Sequence, residues 1–158
     1  MKLKIELEEG LEKPHYAHVG DACMDIRASR DVMIQPYETV AVPTGMKVDI
    51  PLGYELLIRP RSGVSMNTLL RMPNGVGVID AGYRDEIKVL MWNASRTNNG
   101  TFDLTSKENE EGTYVIHKGD RIAQMILKKV DYVEIEVVNE LPPLEIDRGG
   151  GFGSSGVK

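Results

Sequence analysis

Short β-rich runs separated by turn residues constrain the fold of this chain more than any other feature of its sequence. "KLKIELEE" and "YVEIEVV" alternate apolar with polar residues, so that Val133, Ile135 and Val137 of the second run share one face. This alternation predicts two half-buried strands and an all-β protein. Further β-rich runs lie between Gly, Pro, Asn or Asp at spacings typical of sandwiches and barrels, namely "VMIQPY", "TVAVPTGMKVDIP", "GYELLIR", "GVGVID", "EIKVLMWN", "TYVIH" and "RIAQMIL".

The length and composition fit one domain. A chain of 158 residues, 41% of them hydrophobic, can bury one core but is too short to divide comfortably into two. The 16 Gly and 8 Pro against 2 Phe and 1 Trp favour many turns between short elements. We expect an all-β domain over residues 1–140 with a polar, exposed excursion between two strands at 94–112, followed by an arm over 141–158.

The charge pattern and the apolar runs argue against nucleic-acid and membrane partners. The net charge is −5 and no basic cluster is present, so the electrostatic attraction that dominates nucleic-acid affinity is missing. No apolar run approaches the roughly 20 residues that span a bilayer, and "MKLKIELEEG" is unlike a signal peptide. Cys23 is the single cysteine, which excludes an intramolecular disulfide and fits a reducing compartment. We therefore predict a cytoplasmic protein.

The stretch "RPRSGVSM" combines a strand end with a possible phosphate site. Pro60 stops the strand, and a short helix is predicted through "VSMNTLL" with Ser62 as its N-cap. Backbone amides at a helix start, together with the Ser62 hydroxyl and the Arg61 guanidinium, would suit a phosphate. For the tripeptide Arg61, Ser62 and Gly63 taken alone, an ordinary cap beside a surface arginine is the favoured alternative.

Asp80 is the first candidate for a general base. It ends the first apolar run of "GVGVIDAGYRDEIKVLMWN", which is predicted to form a β-hairpin around Ala81 to Asp85. A carboxylate at the edge of an apolar surface gains basicity through desolvation. The alternative is local hydrogen bonding beside the turn.

Two further polar residues stand among apolar neighbours. Gln124 in "GDRIAQMIL" needs a hydrogen-bond partner, which either a ligand or the backbone could supply. Asp25 in "DACMDIRA" could hold a cation or cap a turn. His15 and His18 have no third ligand beside them and are interpreted as surface histidines rather than a zinc site.

The closing stretch "RGGGFGSSGVK" is flexible in composition but carries two functional side chains. Arg148 is a permanent bidentate cation and Phe152 offers a stacking face, a pair that suits a nucleotide. An extended arm from Leu141 to Lys158 spans about 50 Å at ~3.3 Å per residue, enough to contact another subunit. A disordered terminus is the alternative, and composition alone favours it.

In this order, "DACMDIRA", "RPRSGVSM", "GVGVIDAGYRDEIKV", "GDRIAQMIL" and "RGGGFGSSG" resemble the five motifs of the trimeric dUTPases. The resemblance runs from about residue 20 to the carboxyl end. It implies a jelly-roll-like β-barrel protomer, a homotrimer with active sites at subunit interfaces, and Mg²⁺ on the substrate triphosphate. The implied reaction is hydrolysis of dUTP to dUMP and pyrophosphate, which keeps uracil out of DNA and supplies dUMP for thymidylate synthesis.

The same resemblance implies roles for individual residues. Asp80 would activate the water that attacks the α-phosphorus, and Asp25 would orient waters on the metal. The remaining roles cover phosphate binding, uracil and deoxyribose binding, and closure of the site by the arm. The phosphate ligands would be Arg61, Ser62, Gly63, Gln124, Arg148, Ser154 and Ser155; Asn74, Gly77, Val78 and Ile79 would bind uracil, Tyr83 would pack under the deoxyribose, and Phe152 would stack on uracil.

Two residues depart from the family pattern, and two other functions compete. Cys23 and Asp85 stand where the family usually has glycine. A dCTP deaminase of the same superfamily would need a glutamate where this chain has Leu90, ten residues after Asp80. Some phage-encoded members of the family also engage regulatory proteins, and the excursion at 94–112 could be such a surface.

Overall fold

The computed structural model describes residues 1–143, which form twelve strands and one short helix. The strands are β1 Lys4–Leu7, β2 Met24–Arg27, β3 Val32–Ile34, β4 Thr39–Pro43, β5 Met46–Asp49, β6 Tyr54–Pro60, β7 Leu70–Arg71, β8 Gly77–Ile79, β9 Lys88–Asn93, β10 Thr101–Asp103, β11 Thr113–Ile116 and β12 Arg121–Lys129, and the helix α1 is Ser62–Asn67. The predicted all-β class is confirmed. No helix within residues 1–143 is long and apolar enough to cross a membrane.

The strands form four small sheets around one core, in a jelly-roll-like arrangement. The strand orders are β2-β12-β6-β8, β4-β9-β7, β10-β11-β3 and β1-β5. The described residues do not close into a continuous barrel, because these sheets are not joined edge to edge by strand pairing. The four-stranded sheet has β12 and β6 at its centre, antiparallel to each other. This sheet carries five of the residues predicted to act on a ligand, namely Asp25, Gln124, Gly77, Val78 and Ile79.

Alternation along the central strands explains how they join the core. Leu56 and Ile58 of β6 are buried, as are Ala123 and Met125 of β12, while the residues between them are more exposed. Side chains two apart on a strand share a face, so one face of the sheet is apolar. The opposite face is left free to carry polar groups such as Gln124.

The strand predicted in "YVEIEVV" is wrong for the single chain. Residues 131–143 contain no strand, and Val133, Ile135 and Val137 are 80%, 83% and 92% exposed. An alternating run becomes a strand only where a sheet edge accepts its backbone and an apolar surface covers its face. Within the described part of one chain this segment pairs with no strand and its apolar face is uncovered.

The predicted β-hairpin around Asp80 is also wrong. Strand β8 pairs with β6 through Leu56–Ile79 and Ile58–Gly77, whereas β9 pairs with β4 and β7 in another sheet. The connection between β8 and β9 therefore crosses from one sheet to the next. Periodicity identifies the two runs as strands but contains no information about their partners, and here a more distant strand, β6, supplied the better ladder.

Helix α1 forms where the sequence predicts it, but it begins differently. Its N-cap is Arg61, in extended conformation, and no side chain caps the helix start. Ser62 is the first helical residue, so its predicted role as N-cap is wrong by one position. Val64 is the buried residue of the helix, and the Thr68 backbone N–H donates to the Val64 carbonyl at 3.1 Å to end it.

The segment at 94–112 is more ordered than a simple polar loop. Its strand β10 runs parallel to β11, and Phe102 packs against the core. The two ends of the segment are held together by Asn93, which directly precedes it. Asn93 Nδ2 donates to the carbonyl of Gly112, the last residue of the segment, at 2.8 Å. Gly112 has no room for a side chain, because a Cβ there would lie 2.3 Å from the Gly100 carbonyl oxygen. The ends of the segment are therefore fixed, while most residues from 96 to 99 and from 105 to 109 are exposed.

Candidate active site

The first part of the site is a group of polar side chains on the four-stranded sheet. Asp25 of β2 lies opposite Gln124 of β12, and Gln124 in turn lies opposite Arg59 of β6. Asp25 is within a strand, so its alternative role as a turn cap is wrong. Arg61 follows β6 directly and reaches back across the sheet to Asp25.

Two arginines converge on the Asp25 carboxylate. Arg61 Nε donates to Asp25 Oδ1 at 2.8 Å, and Arg121 Nη1 donates to Oδ2 at 3.2 Å. Arg61 Nη1 also donates to the Arg121 carbonyl at 3.1 Å. The Asp25 and Arg61 side chains are only 26% and 25% exposed, so water screens their attraction less than at an open surface. The contacts hold the Arg61 guanidinium in one orientation.

Arg121 is a residue of this group that the sequence reasoning missed. It stands in "GDRIAQMIL", three positions before Gln124. Its cationic side chain lies in a motif that is predicted to bind phosphate, and this position could have indicated a phosphate-binding role for Arg121 as well. Strand periodicity hides it, because a β-bulge between Arg121 and Ala123 shifts the register there.

Gln124 is held partly by the protein itself. Its Nε2 donates to the Pro60 carbonyl at 2.9 Å, so the backbone supplies the partner that the sequence left open. An amide nitrogen carries two hydrogens, and the second can serve a ligand. Gln124 and Asp25 also line an open cavity of about 260 Å³ together with Asp21 and Cys23.

The second part of the site is the edge strand β8 with the turn before it. One side of β8 pairs with β6, and the other side is free within the described residues. Free backbone N–H and C=O groups on an edge strand can bind the edge of a base. A side chain at Gly77 would be crowded, because a Cβ there would lie 3.3 Å from Ile58 Cβ and 3.4 Å from Asn74 Nδ2. Val78 of this strand is exposed.

Asp80 and Tyr83 lie in the connection that follows β8. Both side chains are exposed, so the desolvation expected around Asp80 is not provided by its own chain. The Tyr83 backbone N–H donates to the Asp80 carbonyl at 3.0 Å, and the Tyr83 hydroxyl donates to the Glu86 carbonyl at 3.0 Å. These contacts keep the carboxylate and the phenol on one compact turn.

The same turn is tied to the body of the domain by two polar contacts. Glu86 Oε1 accepts from the Gly45 backbone N–H at 2.8 Å. Arg84 forms an ion pair with Asp49 at the end of β5, and its hydrogen bond holds the pKa of the Asp49 carboxyl below its usual range. The turn bearing Asp80 is therefore anchored by these contacts at its far side and by Ile79 and Ala81, which flank Asp80 and pack against the core.

Cys23 and Asp85, which the motif resemblance sets against family glycines, have ordinary backbone conformations. Among residues 1–143, Tyr37 and Asn109 are the non-glycine residues with positive φ, so neither Cys23 nor Asp85 adopts the left-handed conformation that favours glycine. Cys23 is half-buried and Asp85 is exposed. His15 and His18 are exposed, as predicted. Arg148, Phe152, Ser154 and Ser155 lie outside the described residues.

The register of β6 separates the two parts of the site within one chain. Leu56 lies opposite Ile79, so Asp80 lies beside position 55 of β6. Arg61 is six residues further along, which corresponds to about 20 Å at ~3.3 Å per residue. A triphosphate is much shorter than this. Asp80 and Arg61 of one chain are therefore well separated along the sheet.

The side chains present fit a magnesium ion that is held mainly by a ligand's phosphates. No group of three or more His, Cys, Asp or Glu that could hold a metal ion occurs in residues 1–143. Mg²⁺ usually keeps several waters and takes one or two carboxylates together with substrate phosphates. Asp25, already paired with two arginines but open to the cavity, can contribute one carboxylate through water.

The all-β fold brings arginines and an amide together on one sheet and places a carboxylate and a tyrosine beyond an edge strand, which are groups that a nucleotide hydrolase needs. The dUTPase family model matches residues 10–106 and 99–156. The deoxyuridine 5'-triphosphate nucleotidohydrolase of Finegoldia magna is 41% identical over 162 residues, covering 99% of each chain. The Clostridium kluyveri enzyme of the same name is 42% identical and covers 90% of this chain and 89% of its own. The chain therefore belongs to the dUTPase family, which confirms the resemblance of the five motifs.

Solved structures of phage dUTPases have the same fold. A mutant dUTPase of Staphylococcus bacteriophage 80alpha with dUpNHpp is 31% identical, covers 99% of both chains and has a TM-score of 0.88. A mutant dUTPase from phage phi11 of S. aureus, described with the coordination of a structural Mg(II) ion, is 31% identical with a TM-score of 0.81. It covers 90% of this chain and 100% of its own.

Proposed function

We propose that this enzyme hydrolyses dUTP to dUMP and pyrophosphate by attack of a water molecule on the α-phosphorus. Asp80 accepts the proton of that water as general base. One observation carries the proposal: the dUTPase fold of this chain holds both kinds of group that the reaction needs. The exposed Asp80 carboxylate follows edge strand β8, and Asp25 holds the guanidinium groups of Arg61 and Arg121. A positioned base contributes about 10²- to 10⁴-fold, so phosphate binding and positioning must supply the rest of the acceleration.

The phosphates bind to the group on the four-stranded sheet. Arg61, oriented by Asp25, donates to phosphate oxygens with its remaining N–H groups, and Gln124 donates with its second amide hydrogen. Ser62 and Gly63 provide a hydroxyl and backbone N–H groups beside them. A bound Mg²⁺ would supply charge neutralisation on the triphosphate, and Asp25 would orient its waters. Donors that are already oriented stabilise developing charge without reorganisation.

The nucleoside binds at the free edge of β8. Asn74 and the backbone of Gly77, Val78 and Ile79 hydrogen-bond uracil, since no strand among residues 1–143 pairs with the outer side of β8. Tyr83 packs under the deoxyribose and leaves no space for a 2'-hydroxyl. The hydrogen bond from the Tyr83 hydroxyl to the Glu86 carbonyl supports this role, because it fixes the ring.

The active enzyme is a homotrimer in which different copies complete each site. The separation of Asp80 and Arg61 along β6 supports this assembly, because a second copy can bring its phosphate ligands close to the carboxylate of the first. The uncovered apolar face of Val133, Ile135 and Val137 supports it as well, because such faces mark protein contacts. Assembly would also desolvate the exposed Asp80. The arm over 141–158 then closes the site through Phe152, Arg148, Ser154 and Ser155.

The substrate panel is the decisive test of this function. With Mg²⁺, pyrophosphate release from dUTP is expected to exceed release from dTTP, dCTP and UTP by at least about 10²-fold, and EDTA is expected to abolish it. Ammonia release from dCTP, measured in parallel, tests the competing deaminase function. Equal turnover of UTP and dUTP would contradict the role of Tyr83, and ammonia without pyrophosphate would contradict hydrolysis.

A second role, binding of a regulatory protein through residues 94–112, is supported by two observations. Most residues from 96 to 99 and from 105 to 109 are exposed, and the two family matches meet inside this segment, at 99–106. A dUTPase of bacteriophage 80alpha is described as controlling transfer of virulence genes.

Charge reversal on this segment separates the two roles. The double variant Arg96→Glu, Lys107→Glu is expected to weaken binding of a candidate regulatory protein at least about tenfold, because rim charges steer association, while dUTP hydrolysis is unchanged. Titration calorimetry and pyrophosphate release measure the two effects. Unchanged affinity for the regulatory protein in the variant would contradict a binding role for this segment.

A further inference from the structure

A residue of the 94–112 segment closes the carboxyl end of helix α1. Asn109 Nδ2 donates to the Met66 carbonyl at 2.8 Å, and the Asn109 backbone N–H donates to the Asn67 carbonyl at 3.3 Å. The last carbonyls of a helix have no partners within it, so outside donors must satisfy them. Asn109 has a φ of 50°, a left-handed conformation that asparagine tolerates well and that presents both donors to the helix.

Helix α1 depends on such outside contacts for its position. It has six residues, and helices this short are not stable alone. It has no side-chain cap at its start, and Val64 is its buried residue. The Val64 carbonyl is satisfied by Thr68, through both the backbone N–H and the hydroxyl at 2.7 Å. The Met66 and Asn67 carbonyls, at the end of the same turn, accept from Asn109.

A second contact joins the same two segments behind the helix. The Tyr114 hydroxyl donates to the Glu110 carbonyl at 2.8 Å and accepts from the Leu69 backbone N–H at 3.2 Å. Burial raises the pKa of Tyr114, so the hydroxyl keeps its proton across the neutral range. Glu110, next to Asn109, is thus joined through the Tyr114 hydroxyl to Leu69, two positions beyond the last residue of the helix.

The helix connects these contacts to the phosphate side of the site. The Ser65 backbone N–H donates to the Arg61 carbonyl at 3.0 Å in its first turn. Arg61 is therefore bound at its backbone to α1 and at its guanidinium to Asp25. A shift of the helix would move the Arg61 backbone and Ser62 while Asp25 stays on its strand.

We propose that Asn109 is a positioning residue for the phosphate ligands Arg61 and Ser62, acting through helix α1. The inference rests on the proposed function, because it needs those residues to bind phosphate. The 94–112 segment would then contribute to substrate binding, in addition to any role in binding a regulatory protein. The proposal assigns Asn109 no contact with the nucleotide.

The test compares dUpNHpp, which carries a full triphosphate chain, with dUMP, which lacks the β and γ phosphates. The full-length variants are Asn109→Gly, which tolerates the positive φ but loses Nδ2, and Asn109→Asp, which places a carboxylate against the carbonyl end of the helix. In Mg²⁺, we expect dUpNHpp affinity to fall about three- to tenfold in the first and about ten- to thirtyfold in the second. The affinity for dUMP should change less than about twofold, and KM for dUTP should rise with kcat nearly unchanged.

A matched control and the melting temperature separate positioning from general stability. Lys107→Ala removes a nearby exposed side chain for which residues 1–143 contain no hydrogen bond or ion pair, and should behave as wild type. Wild-type dUpNHpp affinity in Asn109→Asp would overturn the inference. Equal losses for dUMP and dUpNHpp that follow a lower melting temperature would overturn it too. Failure of the wild-type chain to bind dUpNHpp would instead count against the proposed function.

Discussion

Replacement of Asp80 by asparagine is expected to lower kcat for dUTP by about 10³-fold or more, with little change in nucleotide affinity. Asparagine has almost the same shape as aspartate but cannot accept the proton of the attacking water. A positioned general base is typically worth about 10²- to 10⁴-fold. Asp80 is exposed, and its backbone is held by Tyr83, so the substitution should leave the turn intact. Pyrophosphate release measures kcat, and calorimetry with dUpNHpp measures binding.

Asp85 provides the matched control for this experiment. It is an exposed carboxylate on the same turn, five residues further along, so Asp85→Asn removes the same charge near the site without removing the base. We expect less than about a threefold change, since surface substitutions away from special contacts have small effects. Equal losses in both variants would show that net charge, rather than proton transfer, accounts for the effect. Near-wild-type activity of Asp80→Asn would remove Asp80 from the mechanism.

Truncation after Asp147 is expected to lower dUTP hydrolysis by about 10²-fold or more while the chain remains a trimer. The shortened chain lacks Arg148, Phe152, Ser154 and Ser155, which the proposed function assigns to closure of the site. Loss of one well-placed donor to developing charge costs about 10²- to 10³-fold. The apolar face of residues 131–143 remains, so assembly should persist. Steady-state kinetics and analytical ultracentrifugation measure the two properties.

A shorter truncation tests whether the lost side chains, rather than chain length, matter. Ending the chain at Gly156 removes only Val157 and Lys158 and should leave activity within about twofold of wild type, as expected for a change at a chain terminus. Full activity of the chain ending at Asp147 would contradict the role of the arm. A monomeric but active truncated chain would contradict the assembly of sites from different copies.

Much of the fold could be predicted because alternation is a local property of the chain. The runs "GYELLIR" and "RIAQMIL" are predicted as strands and form most of β6 and β12. Leu56, Ile58 and Met125 in these runs are buried, as their apolar character indicates. The partner of β8 could not be predicted. Pairing with β6 rather than β9 depends on which distant strand offers a matching ladder, and this information is absent from local periodicity.

The candidate site divides in the same way. Asp25, Arg61, Gln124 and Asp80 were identified from motif chemistry and order along the chain. The convergence of Arg61 and Arg121 on one carboxylate was not, because it joins strand β2, the end of β6 and the start of β12. The contact of Asn109 with helix α1 could not be predicted either, since the two lie more than forty residues apart in the chain. A polar loop has no periodic pattern that indicates which distant segment it contacts.

The sequence by itself determined the all-β class, the position of most strands, the short helix and the membership of the dUTPase family. These follow from side-chain periodicity, turn residues and ordered motifs, all of which act over a few residues. Only the tertiary structure decided that β8 lies on the edge of the four-stranded sheet, with Asp80 about 20 Å along β6 from Arg61. The physical reason is that strand register and ion pairing are set by contacts between segments distant in the chain, whose free energies depend on the whole packed arrangement.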